Sequence, residues 1–283
     1  MTGPSSDVLP LFQTLVEIVA QLRGPQGCPW DKEQTQASLT QYAIEEAYEL
    51  AEAIETGRQS EVAEELGDFL FQVVLQAQVA QDEGHFNLSD VIRRLNEKMI
   101  RRHPHVFGEA SFKNSEEVWK NWDKVKGQEK AAEPSRGLFS YPRSLPALQA
   151  AAKIGRKTET WKFDWKRPEE VLEKVKEELA ETEQALRDFR RDFPEGRMEP
   201  QAPGRDELEH EIGDLLFSTA QFARHVGLDP EACLRRANRR FEDRFQKVVT
   251  RAGLSKEDFA GLPDEKKEQL WREIKDHEAG RQG

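Results

Sequence analysis

Three blocks of residues occur twice along this chain in the same order, and that duplication limits the possible folds more than any other feature. Glu45-Glu46-Ala47-Tyr48-Glu49 matches Glu177-Glu178-Leu179-Ala180-Glu181. Glu65-Leu66-Gly67-Asp68-Phe69-Leu70-Phe71 matches Glu211-Ile212-Gly213-Asp214-Leu215-Leu216-Phe217. Asn96-Glu97-Lys98-Met99-Ile100-Arg101-Arg102 matches Asn238-Arg239-Arg240-Phe241-Glu242-Asp243-Arg244. The repeat is far longer than a solenoid unit, so it signals two duplicated domains. A chain of 283 residues accommodates two domains of ordinary size. We place them at 1–126 and 147–283, with 127–146 as a linker, because Gly127, Pro134, Gly137, Pro142 and Pro146 break the pattern there.

Within each copy, apolar residues recur every three or four positions, the spacing of one helix face. Leu11, Leu15, Ile18, Val19 and Leu22 mark a helix ended by Gly24-Pro25. Further helices are predicted over Gln36–Ile54, Gln59–Gln81 and Leu88–Arg102, the last with Ser89 as N-cap. In the second copy they fall at Pro168–Phe189, Asp206–His225, Asp229–Thr250 and a charged Asp264–Glu278. Pro168 suits the first turn of its helix. Nothing alternates with period two, so no strand is predicted and the fold class is all-α. Arg190–Arg205, rich in proline and glycine, reads as a loop inserted only in the second copy.

Composition narrows the function. Asp and Glu number 53 against 42 Lys and Arg, a formal charge of -11. That balance argues against binding a nucleic-acid duplex, which needs cations against its phosphates. It permits small phosphate ligands where a metal ion and local cations offset the field. Cys28 and Cys233 make neither a disulfide framework nor a CxxC motif. Met1–Pro10 does not read as a signal peptide, and no run approaches the ~18 apolar residues of a membrane helix. The expectation is a cytoplasmic protein with no membrane partner.

The blocks carry the chemistry. On a helix, Glu178 and Glu181 share a face, and so do Glu211 and Asp214 on the next helix. Packing the two helices together brings four carboxylates into one place. Such a cluster is tolerable when solvated, partly protonated or filled with cations. Ligands that are all oxygen select a hard ion, Mg2+ or Mn2+. The first copy repeats the set as Glu46, Glu49, Glu65 and Asp68. The third block adds cations one turn apart, Lys98 and Arg102, then Arg240 and Arg244. Carboxylates on a metal, beside two cations, are a means of gripping a polyphosphate. One E-x-x-E pair is usually a solvated helix face. The reading rests instead on two pairs and a basic block, duplicated in order. A helical glycine costs ~1 kcal/mol relative to alanine, so its recurrence at Gly67 and Gly213 predicts close approach of another helix or a ligand.

Other motifs carry less. His103-Pro104-His105 reads as a helix end rather than a ligand pair. The E-x-x-H of Glu207–His210 has no counterpart in the first copy, which argues against a di-iron bundle. Trp119, Trp122, Trp161, Trp165 and Trp271 are read first as packing residues. No P-loop, G-x-S-x-G or Rossmann glycine pattern occurs.

These strings resemble the MazG family of all-α nucleoside triphosphate pyrophosphohydrolases. The resemblance rests on Gly27-Cys-Pro-Trp30-Asp31, Glu45–Glu49, Glu65–Val74, Arg101-Arg-His-Pro-His-Val-Phe107, Pro142–Leu148, Gly213–Phe217 and Ala237–Phe245, nearly the whole chain. It implies two tandem helical domains of four-helix-bundle type, usually as a homodimer. It also implies Mg2+-dependent hydrolysis of ribo- or deoxynucleoside triphosphates, noncanonical ones included, to monophosphate and pyrophosphate. The family's usual arrangement implies that the C-terminal domain is the main catalytic one, and motif position implies that Glu178, Glu181, Glu211 and Asp214 are its metal ligands. Lys174, Arg240 and Arg244 would meet phosphates, Glu178 would share the nucleotide site, and Trp271 would lie near the nucleotide. Arg240 stands where the family often has lysine, which keeps the charge and changes the hydrogen-bond geometry. The first copy keeps Glu46, Glu49, Glu65, Asp68, Lys98 and Arg102, so it is a second candidate site. The competing reading is a non-catalytic nucleotide-sensing or interaction protein, above all for that first copy.

Overall fold

The computed structural model describes residues 7–115, 117–118, 121–122, 125, 127, 129, 137–139, 141–192 and 204–279. Trp119, residues 193–203 of the expected inserted loop, and residues 128, 130–136 and 140 of the expected linker lie outside the described residues. The chain divides into two compact units, Met1–Pro134 and Ser135–Gly283. Among the described residues there are helices and turns and no strands.

The first unit comprises α1 (Val8–Arg23), α2 (Pro29–Glu33), α3 (Thr40–Thr56), α4 (Gln59–Asp82), α5 (Leu88–Arg102) and α6 (Pro104–Phe107). The described residues between 115 and 129 are also helical. Gly57, at φ 74°, ends α3 in the left-handed conformation that glycine adopts without steric cost. α4 starts two residues later and packs back on α3. α1 lies on α4, and the core forms between them: Val19, Leu39, Val74, Leu75 and Val79, flanked by Phe12, Leu15, Val16 and Phe71.

The cap of α5 differs from expectation. Asn87, not Ser89, is the N-cap, in a reciprocal capping box: its side chain accepts from Asp90 N at 3.1 Å, and the Asp90 carboxylate accepts from Asn87 N at 3.2 Å. Two orphan donors are satisfied at once, which a serine already inside the first turn could not do.

The second unit comprises α7 (Ala147–Thr160), α8 (Pro168–Asp192), α9 (Arg205–His225), α10 (Pro230–Ala252), α11 (Lys256–Ala260) and α12 (Asp264–Ala279). α8 and α9 form the central pair, as α3 and α4 do in the first. α7 occupies the place of α1, and α12 packs on α10. The α7–α9 contact is built from small residues. Ala151, Ala152 and Ala220 are buried, and a Cβ on Gly155 would lie 1.9 Å from Gln221 Oε1. Gln221 is fully buried and donates to Ala151 O at 2.7 Å. It stands where the first copy has Leu75, also fully buried, so one register position packs as an alkyl group in one unit and as a satisfied amide in the other.

Each unit clasps its first helix to the end of α4 or α9 by an ion pair, and the polarity is reversed between the units. Arg23 of α1 meets Asp82 at 2.6 Å, and its guanidinium also donates to the carbonyls of Asp31 and Gln34. In the second unit the acid belongs to the segment after α7. Asp164 accepts from Arg224 Nη2 at 2.7 Å and lies 3.0 Å from His225 Nε2. Burial pushes the Asp164 carboxyl up, but hydrogen bonds from Arg224 and His225 outweigh it and hold the group below its ordinary value.

Candidate functional site

α8 and α9 place the acids of the second unit. One carboxylate oxygen from each of Glu178, Glu181 and Glu211 lies within 4.8 Å of the others. Glu178 is 5% exposed, deep for a carboxylate. Its charge is met by Lys174, one turn earlier on α8, whose Nζ is 2.7 Å from Glu178 Oε1 and 2.8 Å from Glu177 Oε1. Hydrogen bonds to Glu177 and Glu178 raise the lysine above its ordinary range. Burial, then repulsion by Glu178, raises Glu181. Asp214 is not among the converging oxygens; its Oδ2 lies 3.3 Å from His210 Nε2 on the exposed side of α9.

The first unit builds the same figure from α3 and α4. Oxygens of Glu46, Glu49 and Glu65 converge within 4.8 Å. Burial raises Glu46, with further repulsion from Asp68, Glu49 and Glu65; burial and then Glu49 raise Glu65. The surroundings differ from those of the second unit. Tyr42 stands four residues before Glu46, where the second copy has Lys174. Its ring meets Trp30 edge-on at 5.7 Å. The buried Gln72 hydrogen-bonds Glu46, where the second copy has Ser218. Trp30 and Gln72 lie within the strings that carry the family resemblance, but no role at the acids was read for them or for Tyr42, since none is itself a carboxylate or a cation.

Both clusters fit a hard divalent cation. Each offers three oxygen ligands on two packed helices, and burial, with repulsion from neighbouring carboxylates, holds Glu46 and Glu65 in the first and Glu181 in the second above their ordinary values.

The basic block sits elsewhere. α5 packs on α4 and α6, and α10 packs on α9, α7 and α12. Lys98 lines a groove on α5 with Phe86, Asp90, Arg94 and Arg101. Arg102 instead turns to Glu129, which also accepts from Arg101 Nε at 2.8 Å. Arg240 is exposed. Arg244 donates to Glu278 at 2.9 Å, and its guanidinium lies 5.2 Å from the centre of the Trp271 ring. Arg102 and Arg244 are therefore tied to acids outside the carboxylate triads.

Two smaller expectations have clear outcomes. His103 caps the C-terminus of α5, with Nδ1 2.7 Å from Met99 O, and begins α6, as a helix end should. Gly67 and Gly213 have open space where a side chain would sit, so no other helix among the described residues makes the expected close approach.

Carboxylate triads on paired helices, twice over, agree with the class that the family matches give, nucleotide pyrophosphohydrolases. Residues 34–107 match the family described as MazG nucleotide pyrophosphohydrolase domain, and residues 151–241 match phosphoribosyl-ATP pyrophosphohydrolase. The nucleoside triphosphate pyrophosphohydrolase/pyrophosphatase MazG of Thermotoga maritima is 43% identical over 268 residues, 94% of this chain and 96% of that protein. The nucleoside triphosphate pyrophosphohydrolase of Escherichia coli is 40% identical over 269 residues, 93% of this chain and 97% of that protein. Bacillus subtilis YabN is 40% identical over 267 residues, 94% of this chain and 52% of its own length. The chain belongs to the MazG family.

Proposed function

We propose that this chain hydrolyses nucleoside triphosphates to monophosphate and pyrophosphate with Mg2+, and that the second unit is the principal site. The observation that carries the reading is the convergence of Glu178, Glu181 and Glu211 beside Lys174. We take 1–126 and 147–283 as the functional domains, joined by 127–146. Glu178, Glu181 and Glu211 would hold the ion, with Asp214 one turn from Glu211; Mn2+ would substitute. When bound, the ion polarises phosphate oxygens and acidifies water. Lys174, Arg240 and Arg244 supply cationic donors to the triphosphate, and Trp271 flanks the nucleotide. Water attacks the α-phosphorus, the bond from that phosphorus to the bridging oxygen breaks, and pyrophosphate leaves. A cluster carboxylate takes the water's proton, while the cations stabilise charge on the leaving group. Such chemistry serves a cytoplasmic nucleotide pool.

The first unit has its triad but carries Tyr42 in place of Lys174. That difference favours a regulatory or nucleotide-sensing copy with little turnover. We further propose a homodimer. Gly67 and Gly213 face open space, and Leu66, Leu70, Ile212 and Leu216 beside them are exposed. A second copy would cover that apolar surface.

The test is to incubate the protein with a panel of triphosphates and Mg2+ and identify the products. Monophosphate with pyrophosphate supports the reading, and chelation of the metal should abolish it. Diphosphate with inorganic phosphate would refute the assigned bond. Glu178→Ala should lower kcat on the order of a hundredfold or more, as loss of a group central to transition-state charge does. Glu46→Ala should change kcat little; the opposite pattern would move the principal site to the first unit.

A further inference from the structure

The carboxylates that hold the basic block come from one more duplicated stretch. Trp122 is followed by Val125, Lys126 and Glu129; Trp271 is followed at the same intervals by Ile274, Lys275 and Glu278. In both units the glutamate of this stretch takes the arginine that ends the third block: Glu129 takes Arg102, and Glu278 takes Arg244. Each glutamate also takes a second cation on the same side, Arg101 or Lys247. The tryptophan lies close by in both units. The Trp122 ring is 6.1 Å from His103, next to Arg102; the Trp271 ring lies under Arg244 and 5.1 Å from Phe241.

The geometry at Glu278 is that of a clamp. Oε2 accepts from Arg244 Nε and Nη2, both at 2.9 Å, and Oε1 accepts from Lys247 Nζ at 2.7 Å. With its Nε edge on a carboxylate and its face on an indole, the guanidinium has lost most of its rotamer freedom. Such a side chain otherwise carries ~2 kcal/mol of conformational entropy. One carboxylate against two cations leaves a net positive charge for an anion, and Nη1 is outside the carboxylate's grip. This is how a donor is preorganised for phosphate.

We propose that Glu278 is a positioning residue for the hydrolysis. It holds Arg244 against Trp271, so that the guanidinium meets the polyphosphate already oriented, and Glu129 fixes Arg102 by the same kind of ion pair in the first unit. The proposal rests on the reading of Arg244 as a phosphate donor.

The test is a double-mutant cycle on the full chain, with kcat and KM measured for one deoxynucleoside triphosphate in Mg2+. Glu278→Ala should raise KM about tenfold and leave kcat within about threefold, since orientation of a binding group is lost rather than the reacting acids. Glu278→Gln keeps an acceptor oxygen and should restore at least half of that loss on a logarithmic scale. In an Arg244→Ala background neither change should alter KM further, because the route through Arg244 is gone. An effect that persists undiminished in that background would show that Glu278 merely secures α12 and overturn the proposal. So would an unchanged KM in the Glu278 variants, or a lowered one, which would make the carboxylate a competitor of phosphate. If Glu278→Ala fails to fold, the glutamine variant alone closes the cycle. An Arg244→Ala enzyme with unaltered KM would overturn the underlying reading of Arg244, and the proposal with it; a raised KM there beside unaltered Glu278 variants overturns the proposal alone.

Discussion

At the scale of single residues, Glu129 is a carboxyl that its arginine partners displace strongly. Hydrogen bonds from Arg102 and then Arg101 lower its pKa from 4.5 to about 2. A carboxyl depressed in the folded state stabilises the protein above its unfolded pKa, and that contribution disappears as pH falls through the folded one. Glu129 should therefore stabilise the first unit fully above pH 4.5 and lose its effect between there and about 2. Urea melts of the native chain and Glu129→Gln across that range should show a stability gap that closes as the medium becomes acidic; a gap independent of pH would contradict it. The acids of the triads were legible in the sequence because residues three apart on a helix share a face, whatever the tertiary structure. Their partners were not. Glu129 and Glu278 reach their arginines from 27 and 34 residues away, and nothing in local spacing marks such pairs. Asp214 shows the limit from the other side: spacing put it on the right helix face but did not determine whether its oxygen joined the other three.

At the scale of elements, the long helices were legible because their faces are written in large apolar residues. The α4 pattern ran over Gln59–Gln81, and the helix spans Gln59–Asp82. α7 was missed. Its buried face consists of Ala151, Ala152 and Gly155, which add little to any apolar pattern. Their smallness is what lets α7 approach α9. Gly155→Ala should consequently destabilise the second unit by about 1–3 kcal/mol, as overpacking does, despite a gain of ~1 kcal/mol in helix propensity. The added Cβ would meet Gln221 Oε1 at 1.9 Å and Arg224 Nε at 2.6 Å. Neither can swing aside freely, since Gln221 is bonded to Ala151 O and Arg224 to Asp164. Thermal unfolding followed by circular dichroism checks this; a Tm equal to or above that of the native chain would show the contact to be slack.

At the scale of the whole molecule, duplication was legible from three blocks, and the structure adds to them a shared plan of paired acid-bearing helices in each unit. The exposed apolar residues beside Gly67 and Gly213 give the dimer proposal its test. Light scattering should report a dimer for the native chain, and Leu70→Glu should shift it toward monomer with helicity retained; a native monomer would remove the proposal. The reversed clasps bear on how the two halves stay distinct. Asp82 aligns with Leu228, and Arg224 and His225 align with Gln78 and Val79, so exchanging the arms would leave Arg23 and Asp164 each without the charge it now meets. A chimera with swapped first arms would thus strand a charge at each seam, so the two clasps are not interchangeable parts.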